Sequence, residues 1–318
     1  MNLNSWAIIV LCSHLCVSES IRPYKPTEWT KLSEKLVGLS IEPYKLLSFT
    51  DSDLRLVLGF SPDEIQRFNL LIDRSDRIAL EIERYADMSI GIMTRADIYF
   101  PDILKQKLGK SCPTMLYYTG NPIITGNKCV SVVGSRNISV DDELFTGKIV
   151  RKSCLEGFTI VSGGARGVDS VARTASIDNG GTCIEYIADS IVKKLGKLSI
   201  VKAILSNQLL VLSAAKPDAG FTAGMAMMRN KLIYAQSDYT VVVKSDYNKG
   251  GTWTGAIDNL KNKKSVTFCW NNPQYRGNME LISKGAIPID ADFDLNLADY
   301  SIHDGSETAS EQLNLFST

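Results

Sequence analysis

The chain has 318 residues, of which 44% are hydrophobic and 22% are charged, a composition typical of globular proteins that excludes the disordered and fibrous classes. Its 35 basic and 35 acidic residues give a formal net charge of zero, so any binding to nucleic acid requires a local basic patch rather than bulk attraction. The seven cysteines are scattered and only two histidines are present, so the sequence predicts reduced thiols in a cytoplasmic protein, with no metal ion and no cofactor.

Residues 1–95 are predicted to form a small helical N-terminal region. The apolar run Trp6–Val17 has no positive charge before it and is too short to span a membrane, so we expect a buried first helix and no membrane association. A later helix is predicted to begin after Ser61, because a proline and two acidic residues follow it. Residues 96–128 contain several prolines and glycines and are predicted to be a connecting segment with one short helix and one short strand.

Beyond residue 128, short apolar runs alternate with helical segments. The runs predict strands over Cys129–Val133, Thr159–Ser162, Cys183–Ile187, Leu209–Leu212, Tyr239–Val243 and Val266–Cys269. The segments between them predict helices that include Asp141–Cys154, Val168–Asn179, Gly224–Ala235 and Thr254–Asn262. This alternation predicts an α/β fold over residues 129–290, with a doubly wound, mostly parallel sheet covered on both faces. Residues 291–318 are predicted to be an acidic, polar tail.

Three glycine-containing loops each follow a predicted strand: Gly134–Arg136, Gly163–Asp169 and Gly250–Thr254. Glycine allows backbone N–H groups to approach an anion closely, and the arginine in each of the first two loops adds a fixed positive charge. Ligands of parallel sheets bind outside the carboxyl ends of the strands. The three loops are therefore predicted to build one concave phosphate-binding face.

Other features near these loops leave two interpretations open. Gly163–Gly167 is not a dinucleotide-binding fingerprint, because Ser162 stands where the first glycine should be. Arg229–Lys231 places three polar donors in an otherwise apolar helix, which indicates either a solvated helix edge or contacts to phosphates. Trp253 could stack on a base or pack in the core, and the sequence favours neither.

From about Asp97 to Ile289 the chain resembles the DprA/Smf family of DNA-processing proteins, because several motifs occur in one order. The motifs are Leu116–Pro122, Val133–Arg136, Ser162–Asp169, Gly180–Thr182, Arg229–Lys231, the glycine–threonine loop after Val243, Gly277–Asn278, Leu281–Ile282 and Lys284–Ala286. The family pattern is not matched everywhere. Arg173 stands where the family usually has histidine, Lys231 where it usually has arginine, and Ala188–Ser190 where it usually has a glycine. No C-terminal winged-helix domain is expected.

The resemblance implies an extended Rossmann-like domain that binds single-stranded DNA and is not an enzyme. It also implies homodimerisation and partnership with the recombinase RecA, which the family loads onto single strands during natural transformation and DNA recombination. A role in defence or on a mobile element stays open. The resemblance and the glycine loops together predict that DNA phosphates contact Gly134, Ser135, Arg136, Gly163, Gly164, Arg166, Arg229, Asn230, Lys231, Gly250, Gly251 and Thr252.

Two alternative functions use the same loops. Phosphoribohydrolases of the lysine-decarboxylase-like group have a related glycine–threonine loop, but here Lys249 takes the place of its proline and the glutamate that should follow is missing. The first acid after that loop is Asp258, on the following predicted helix, whereas cleavage of a glycosidic bond needs a carboxylate against the sugar. The other alternative is a nucleotide-sensing module with the N-terminal helices as its partner surface.

Overall fold

The computed structural model describes residues 2–18 and 22–291. The helices of this part of the chain are α1 (Leu3–Cys12), α2 (Pro26–Gly38), α3 (Asp51–Leu56), α4 (Pro62–Ile72), α5 (Ser75–Asp87), α6 (Asp102–Leu108), α7 (Val140–Leu155), α8 (Val168–Asp178), α9 (Ile191–Leu195), α10 (Leu198–Leu205), α11 (Ala223–Gln236), α12 (Gly250–Asn262) and α13 (Arg276–Ser283). The strands are β1 (Gly91–Thr94), β2 (Met115–Gly120), β3 (Cys129–Val133), β4 (Thr159–Ser162), β5 (Cys183–Tyr186), β6 (Leu209–Ser213), β7 (Tyr239–Val242), β8 (Val266–Trp270) and β9 (Ile287–Ile289).

All nine strands form one sheet in the order β1-β2-β6-β5-β4-β3-β7-β8-β9. The seven strands from β3 to β9 run parallel to one another, and β2 joins β6 and β1 in antiparallel pairs. The prediction of an α/β fold with a mostly parallel sheet is therefore confirmed. The sheet also includes β1 and β2, which lie before residue 129, and the division of the chain at residues 95, 128 and 290 stays a prediction.

Each face of the sheet has its own hydrophobic core, as the continuous apolar runs of the strands require. In β3, Val130 and Val132 pack into the core that also contains α7, α8, α10 and the N-terminal helices. Cys129 and Val133 pack into the opposite core, which contains α6, α11, α12 and α13. Successive side chains of a strand point to opposite faces, so this alternation places helices on both sides of the sheet and leaves the ends of the strands accessible.

One buried cation stabilises the N-terminal helices. Arg74 is fully buried and precedes α5. Its guanidinium donates hydrogen bonds to the carbonyl oxygens of Val10, Ser13 and Leu15, at 2.5, 2.9 and 2.7 Å, around the end of α1. The apolar run near the N-terminus thus contains a buried helix, as expected, and the carbonyls at its end and just after it accept hydrogen bonds from the residue that precedes α5. Along residues 2–18 and 22–291, none of the helices has the length and apolar content needed to cross a bilayer.

A second arginine, Arg67, pairs with the carboxylate of Glu28 in the N-terminal region. Arg67 donates to both oxygens of Glu28, at 3.1 and 3.2 Å, and the amide of Lys25 donates to the same carboxylate at 2.8 Å. Burial by itself would raise the pKa of Glu28, but these hydrogen bonds, together with the charges of Arg67 and Arg22, outweigh it and lower the pKa to about 2.

We expect Glu28→Gln to reduce stability at neutral pH but not in acid. The folded-state pKa lies below the unfolded one, so the stabilisation is fully present above the unfolded value and is lost as the pH falls towards 2. Because the side chain is 27% exposed, solvent screening leaves a loss of about 1–2 kcal/mol in the free energy of unfolding at pH 7. Urea unfolding from pH 7 to 2.5 measures it, with exposed Glu34→Gln as control. A loss that stays constant with pH would contradict the assignment.

Candidate phosphate-binding cleft

A cleft of about 490 Å³ lies at the carboxyl ends of β3, β4 and β7, between α11 and α12. Eight of the twelve predicted residues line it: Gly134, Ser135, Arg136, Arg229, Asn230, Gly250, Gly251 and Thr252. Its lining also includes residues that the sequence did not single out as contacts, namely Val133, Asn137, Ala165, Asp169, Phe221, Ala226, Ile233, Tyr234, Lys244, Asp246 and Lys249. The loops after three parallel strands thus meet at one place, as their position at the carboxyl ends of those strands predicts.

Arg229 lines the cleft, and its guanidinium has one buried nitrogen, Nε, that is not hydrogen-bonded to any described residue. Its side chain is 14% exposed, and one Nη lies 3.7 Å from Asp169 Oδ2, which is an ion pair but too long for a hydrogen bond. Burial lowers the pKa of Arg229 and raises that of Asp169, while their mutual attraction opposes both shifts. The guanidinium stays charged at neutral pH, since arginine does not deprotonate in proteins.

Tyr234 is a second buried donor near the cleft. The residue lines the cleft, but its hydroxyl is buried against Gly255 of α12 and has no hydrogen-bond partner among the described residues. Buried polar groups are hydrogen-bonded in nearly all native structures. The unpaired Nε of Arg229 and the hydroxyl of Tyr234 are therefore exceptions among the residues that form the wall of the cleft.

The third predicted loop is in fact the first turn of a helix, which corrects the sequence interpretation. Gly250, with φ of +78°, turns the chain into α12, and no side chain caps the helix at Lys249. The side chain of Thr252 donates to the carbonyl of Gly134 at 3.0 Å, and that of Asn230 donates to the carbonyl of Gly251 at 3.1 Å. The amides of an uncapped first turn have no acceptor within their helix, so they add an anion-binding group to the cleft.

Two predicted residues act beneath the cleft rather than in it. A Cβ added to Gly163 would lie 2.7 Å from Cζ of Arg229, so only glycine lets the guanidinium lie against this backbone. The carbonyl of Gly164 accepts a hydrogen bond from Lys194 Nζ at 2.7 Å. The fully buried Glu185 holds Lys194 at 2.9 Å and Arg173 at 2.6 Å. The arginine that departs from the family pattern thus belongs to an ion-pair cluster that supports the Gly163–Gly164 loop.

The remaining predicted residues lie outside the cleft lining. Arg166 is exposed at the start of α8, and Lys231 is half-buried on α11. Positions two apart on a helix point in nearly opposite directions, so Lys231 cannot share the face on which Arg229 reaches the cleft. Trp253 is 8% exposed and packs edge-on against Tyr247, at 5.2 Å between ring centroids, so it belongs to the core rather than to a stacking surface. Asp258 forms an ion pair with Lys264 and does not line the cleft.

Two further cations in the cleft follow β7. Lys244 comes directly after the strand run and lies 3.1 Å from the buried Asp142, and Lys249 is exposed beside the start of α12. In the sequence, the position of these two lysines after a predicted strand was the feature that could have identified them as cleft residues. Phe221, an aromatic residue that is 60% exposed at the rim, carried none in the sequence.

The family model and the individual relatives that this chain matches are all DNA-processing proteins of one kind. The family model described as DNA recombination-mediator protein A matches residues 91–297. The DNA processing protein DprA of Streptococcus pneumoniae is 30% identical over 236 residues, which cover 69% of this chain and 82% of that protein. The DprA of Bacillus subtilis is 25% identical over 182 residues, which cover 56% of this chain and 61% of that protein, less than two thirds of its length.

Solved structures show the same fold. The X-ray structure of Streptococcus pneumoniae DprA superposes with a TM-score of 0.74 at 21% identity, covering 95% of this chain and all of that one. A DprA structure from Helicobacter pylori, described for its unique single-stranded DNA binding mode, gives a TM-score of 0.53 at 24% identity and covers 66% of this chain and 93% of that one.

Proposed function

Because this chain belongs to the DNA recombination-mediator protein A family, we propose that its cleft binds the phosphate backbone of single-stranded DNA. The observation that carries the proposal is Arg229, a largely buried guanidinium whose Nε is not hydrogen-bonded to any described residue. Guanidinium groups bind phosphate oxygens through two parallel hydrogen bonds, which few other ligands of a cleft can accept.

Three kinds of donor converge on the space in front of Arg229. Arg136 supplies a second guanidinium from the loop after β3, the uncapped start of α12 supplies backbone amides, and Lys249 supplies an exposed ammonium group. Such contacts fix the position of a nucleic-acid backbone and carry no sequence information. We therefore expect binding that is tolerant of sequence and strongly weakened by salt. The choice of single-stranded DNA is supported by the Helicobacter pylori relative.

We propose the finer role from the family alone. The protein would act in the cytoplasm as a homodimer that delivers single-stranded DNA to the recombinase RecA, in natural transformation or another recombination process. It would act by binding and not by catalysis. The phosphoribohydrolases have a glutamate directly after the glycine–threonine loop, whereas here the first acid after that loop, Asp258, pairs with Lys264 outside the cleft, which supports binding over that alternative.

The experiment is the binding of a fluorescein-labelled oligothymidylate, followed by anisotropy across a salt series. We expect Arg136→Ala and Arg229→Met each to weaken binding about tenfold or more, and to reduce the slope of log affinity against log salt by about one. Arg151→Ala, on the exposed surface of α7, removes the same charge away from the cleft and should leave both quantities unchanged.

Binding that is indifferent to both cleft arginines would contradict the proposal. Preferential binding of nucleoside monophosphates would instead favour a nucleotide sensor, and release of ribose phosphate from them would favour the phosphoribohydrolase alternative. All three outcomes can be distinguished with the same set of variants.

A further inference from the structure

One motif of the family resemblance, Gly277–Asn278, lies at the start of α13, outside the lining of the cleft. Asn278 is fully buried. Its carboxamide has donors and an acceptor that burial requires to be hydrogen-bonded, so its partners indicate what it does. Those partners belong to β8 and to the β7 loop, residues 243–249, which brings Lys244 and Lys249 to the cleft.

Asn278 connects the ends of two neighbouring strands to the β7 loop. Its Nδ2 donates to the carbonyl of Val243, directly after β7, at 2.9 Å, and to that of Trp270, at the end of β8, at 3.0 Å. Its Oδ1 accepts a hydrogen bond from the amide of Ser245 at 2.8 Å. All three partners are buried, so one side chain satisfies three backbone groups that water does not reach. The path of the β7 loop away from the sheet is therefore fixed by Asn278.

The two residues before Asn278 contact the same loop. A Cβ added to Gly277 would overlap the carbonyl oxygen of Ser245, so only glycine allows α13 to lie against this backbone. The guanidinium carbon of Arg276 lies 4.2 Å from the centroid of the Tyr247 ring, within the range of a cation–π contact. The start of α13 thus holds the β7 loop at more than one point.

The position of the β7 loop decides which positive groups face the ligand. Lys244 lines the cleft with Nζ 3.1 Å from the buried Asp142, and Lys249 directly precedes the first turn of α12. A shift of the loop therefore moves Lys249 together with the uncapped amides of α12. Arg136 lies on a different loop, the one after β3, so such a shift would separate it from the donors of the β7 side.

We propose that Asn278 is a positioning residue of the cleft, which holds the β7 loop so that Lys249 and the start of α12 face the same ligand as Arg136 and Arg229. The inference rests on the proposed function, because that ligand is the DNA backbone. Asn278 does not touch the DNA itself, since it is fully buried and lies outside the cleft lining.

Asn259 provides a matched control. It is also fully buried, and its Nδ2 donates to the carbonyl and the hydroxyl of Ser265, each at 3.0 Å, and to Oγ1 of Thr267 at 2.7 Å. Ser265 precedes β8, which runs parallel to β7, so this network lies at the edge of the sheet opposite the cleft. Asn278→Ala and Asn259→Ala remove the same buried group, and both should lower the midpoint of urea unfolding.

We expect Asn278→Ala to bind the labelled oligothymidylate about fivefold more weakly at low salt, with the slope of log affinity against log salt reduced by about one. The slope falls because Lys249 no longer reaches the DNA backbone. Asn259→Ala should keep the wild-type affinity and slope. Wild-type binding by Asn278→Ala would overturn the inference, and so would an equal loss in Asn259→Ala.

A double-mutant cycle separates positioning from a general loss of stability. Lys249→Ala should weaken binding less in the Asn278→Ala background than in the wild type, because the lysine is already displaced. Arg136→Ala should weaken binding by the same factor in both backgrounds. If the effects of Lys249→Ala and Asn278→Ala simply multiply, Asn278 does not act through the β7 loop and the inference fails.

Gly277→Ala provides a second variant in case Asn278→Ala does not fold. It displaces the same loop by steric overlap and keeps the hydrogen-bonding groups of Asn278, so it should show the same loss of affinity and the same coupling to Lys249→Ala. Wild-type binding by Gly277→Ala would contradict the inference.

Hydrogen–deuterium exchange without DNA gives a readout that does not depend on the proposed function. Residues 244–249 should exchange faster in Asn278→Ala than in the wild type, and at the wild-type rate in Asn259→Ala. Unchanged exchange in Asn278→Ala would show that Asn278 does not hold the β7 loop. If the wild type itself does not bind the oligothymidylate, the proposed function fails, and the exchange experiment still decides whether Asn278 holds the loop.

Discussion

Replacing Arg74 by methionine is expected to lower the free energy of unfolding by about 3–5 kcal/mol, measured by urea denaturation at pH 7. Methionine fills a similar volume, but the carbonyl oxygens of Val10, Ser13 and Leu15 would lose their buried donor. Each unsatisfied buried carbonyl costs about 1–3 kcal/mol, and the end of α1 also loses the positive charge that its dipole favours. Burial lowers the pKa of Arg74 to about 10, so the cation is present throughout the neutral range.

The control for this prediction lies three residues later, in the first turn of α5. Arg77 is exposed on α5, and Arg77→Met should change the free energy of unfolding by less than about 0.5 kcal/mol. Arg74→Lys keeps the charge, but the three carbonyls accept from two different Nη atoms and a single ammonium nitrogen cannot occupy both positions, so we expect it to cost most of what methionine costs. A loss of less than about 1 kcal/mol for Arg74→Met would show that water or nearby residues donate hydrogen bonds to the three carbonyls when the guanidinium is absent.

Gly167→Ala is expected to cost about 2–4 kcal/mol of stability and to weaken binding of single-stranded DNA at least tenfold. Gly167 has φ of +78°, and an added Cβ would lie 2.7 Å from Cα of Arg136. The clash is with backbone and not with the flexible end of a side chain, so the loops after β3 and β4 must separate. Arg136 and Arg229 would then no longer face one ligand. Urea denaturation and anisotropy measure the two effects.

Gly180→Ala is the control that separates the effect of backbone strain from the effect of displacing the two loops. Gly180 has φ of +71°, but no heavy atom lies within 4 Å of its added Cβ. We expect a loss of about 1 kcal/mol from the left-handed backbone alone and no change in DNA affinity. If the two alanine variants bound DNA equally well, the contact between the loops would not be what positions the cleft.

Much of the sheet could be predicted because its strands are buried on both faces. Runs such as Cys129–Val133 and Leu209–Leu212 have few polar residues, and the structure has strands at both. Strand β1 was not predicted, because Gly91–Thr94 is only four residues long. It is a strand because it pairs with β2, a segment more than 20 residues further along the chain. The helical start at Gly250 was missed because two adjacent glycines are typical of loops, and a tertiary contact decides between loop and helix.

The candidate cleft could be predicted in outline but not in its electrostatics. Glycine and arginine at the ends of strands indicate where an anion can approach the backbone, and most of those residues line the cleft. The pairing of Arg229 with Asp169 and the support of Gly164 by Lys194 join residues 30 or more positions apart. No local pattern encodes such pairs. The sequence could have excluded Lys231 from the cleft, because residues two positions apart on a helix, such as Arg229 and Lys231, lie on different faces of it.

The order of the strands in the sheet affects how the protein folds during its synthesis on the ribosome. The central strand β3 pairs with β7, which begins 110 residues later in the chain. At about 5–20 residues per second, β3 waits roughly 5–20 s for that partner with one edge unpaired. Both walls of the cleft meet only after α12 has emerged, so a nascent chain completes the proposed DNA-binding cleft only once residue 262 has been translated. Until then its exposed strand edge is a template for pairing with other chains.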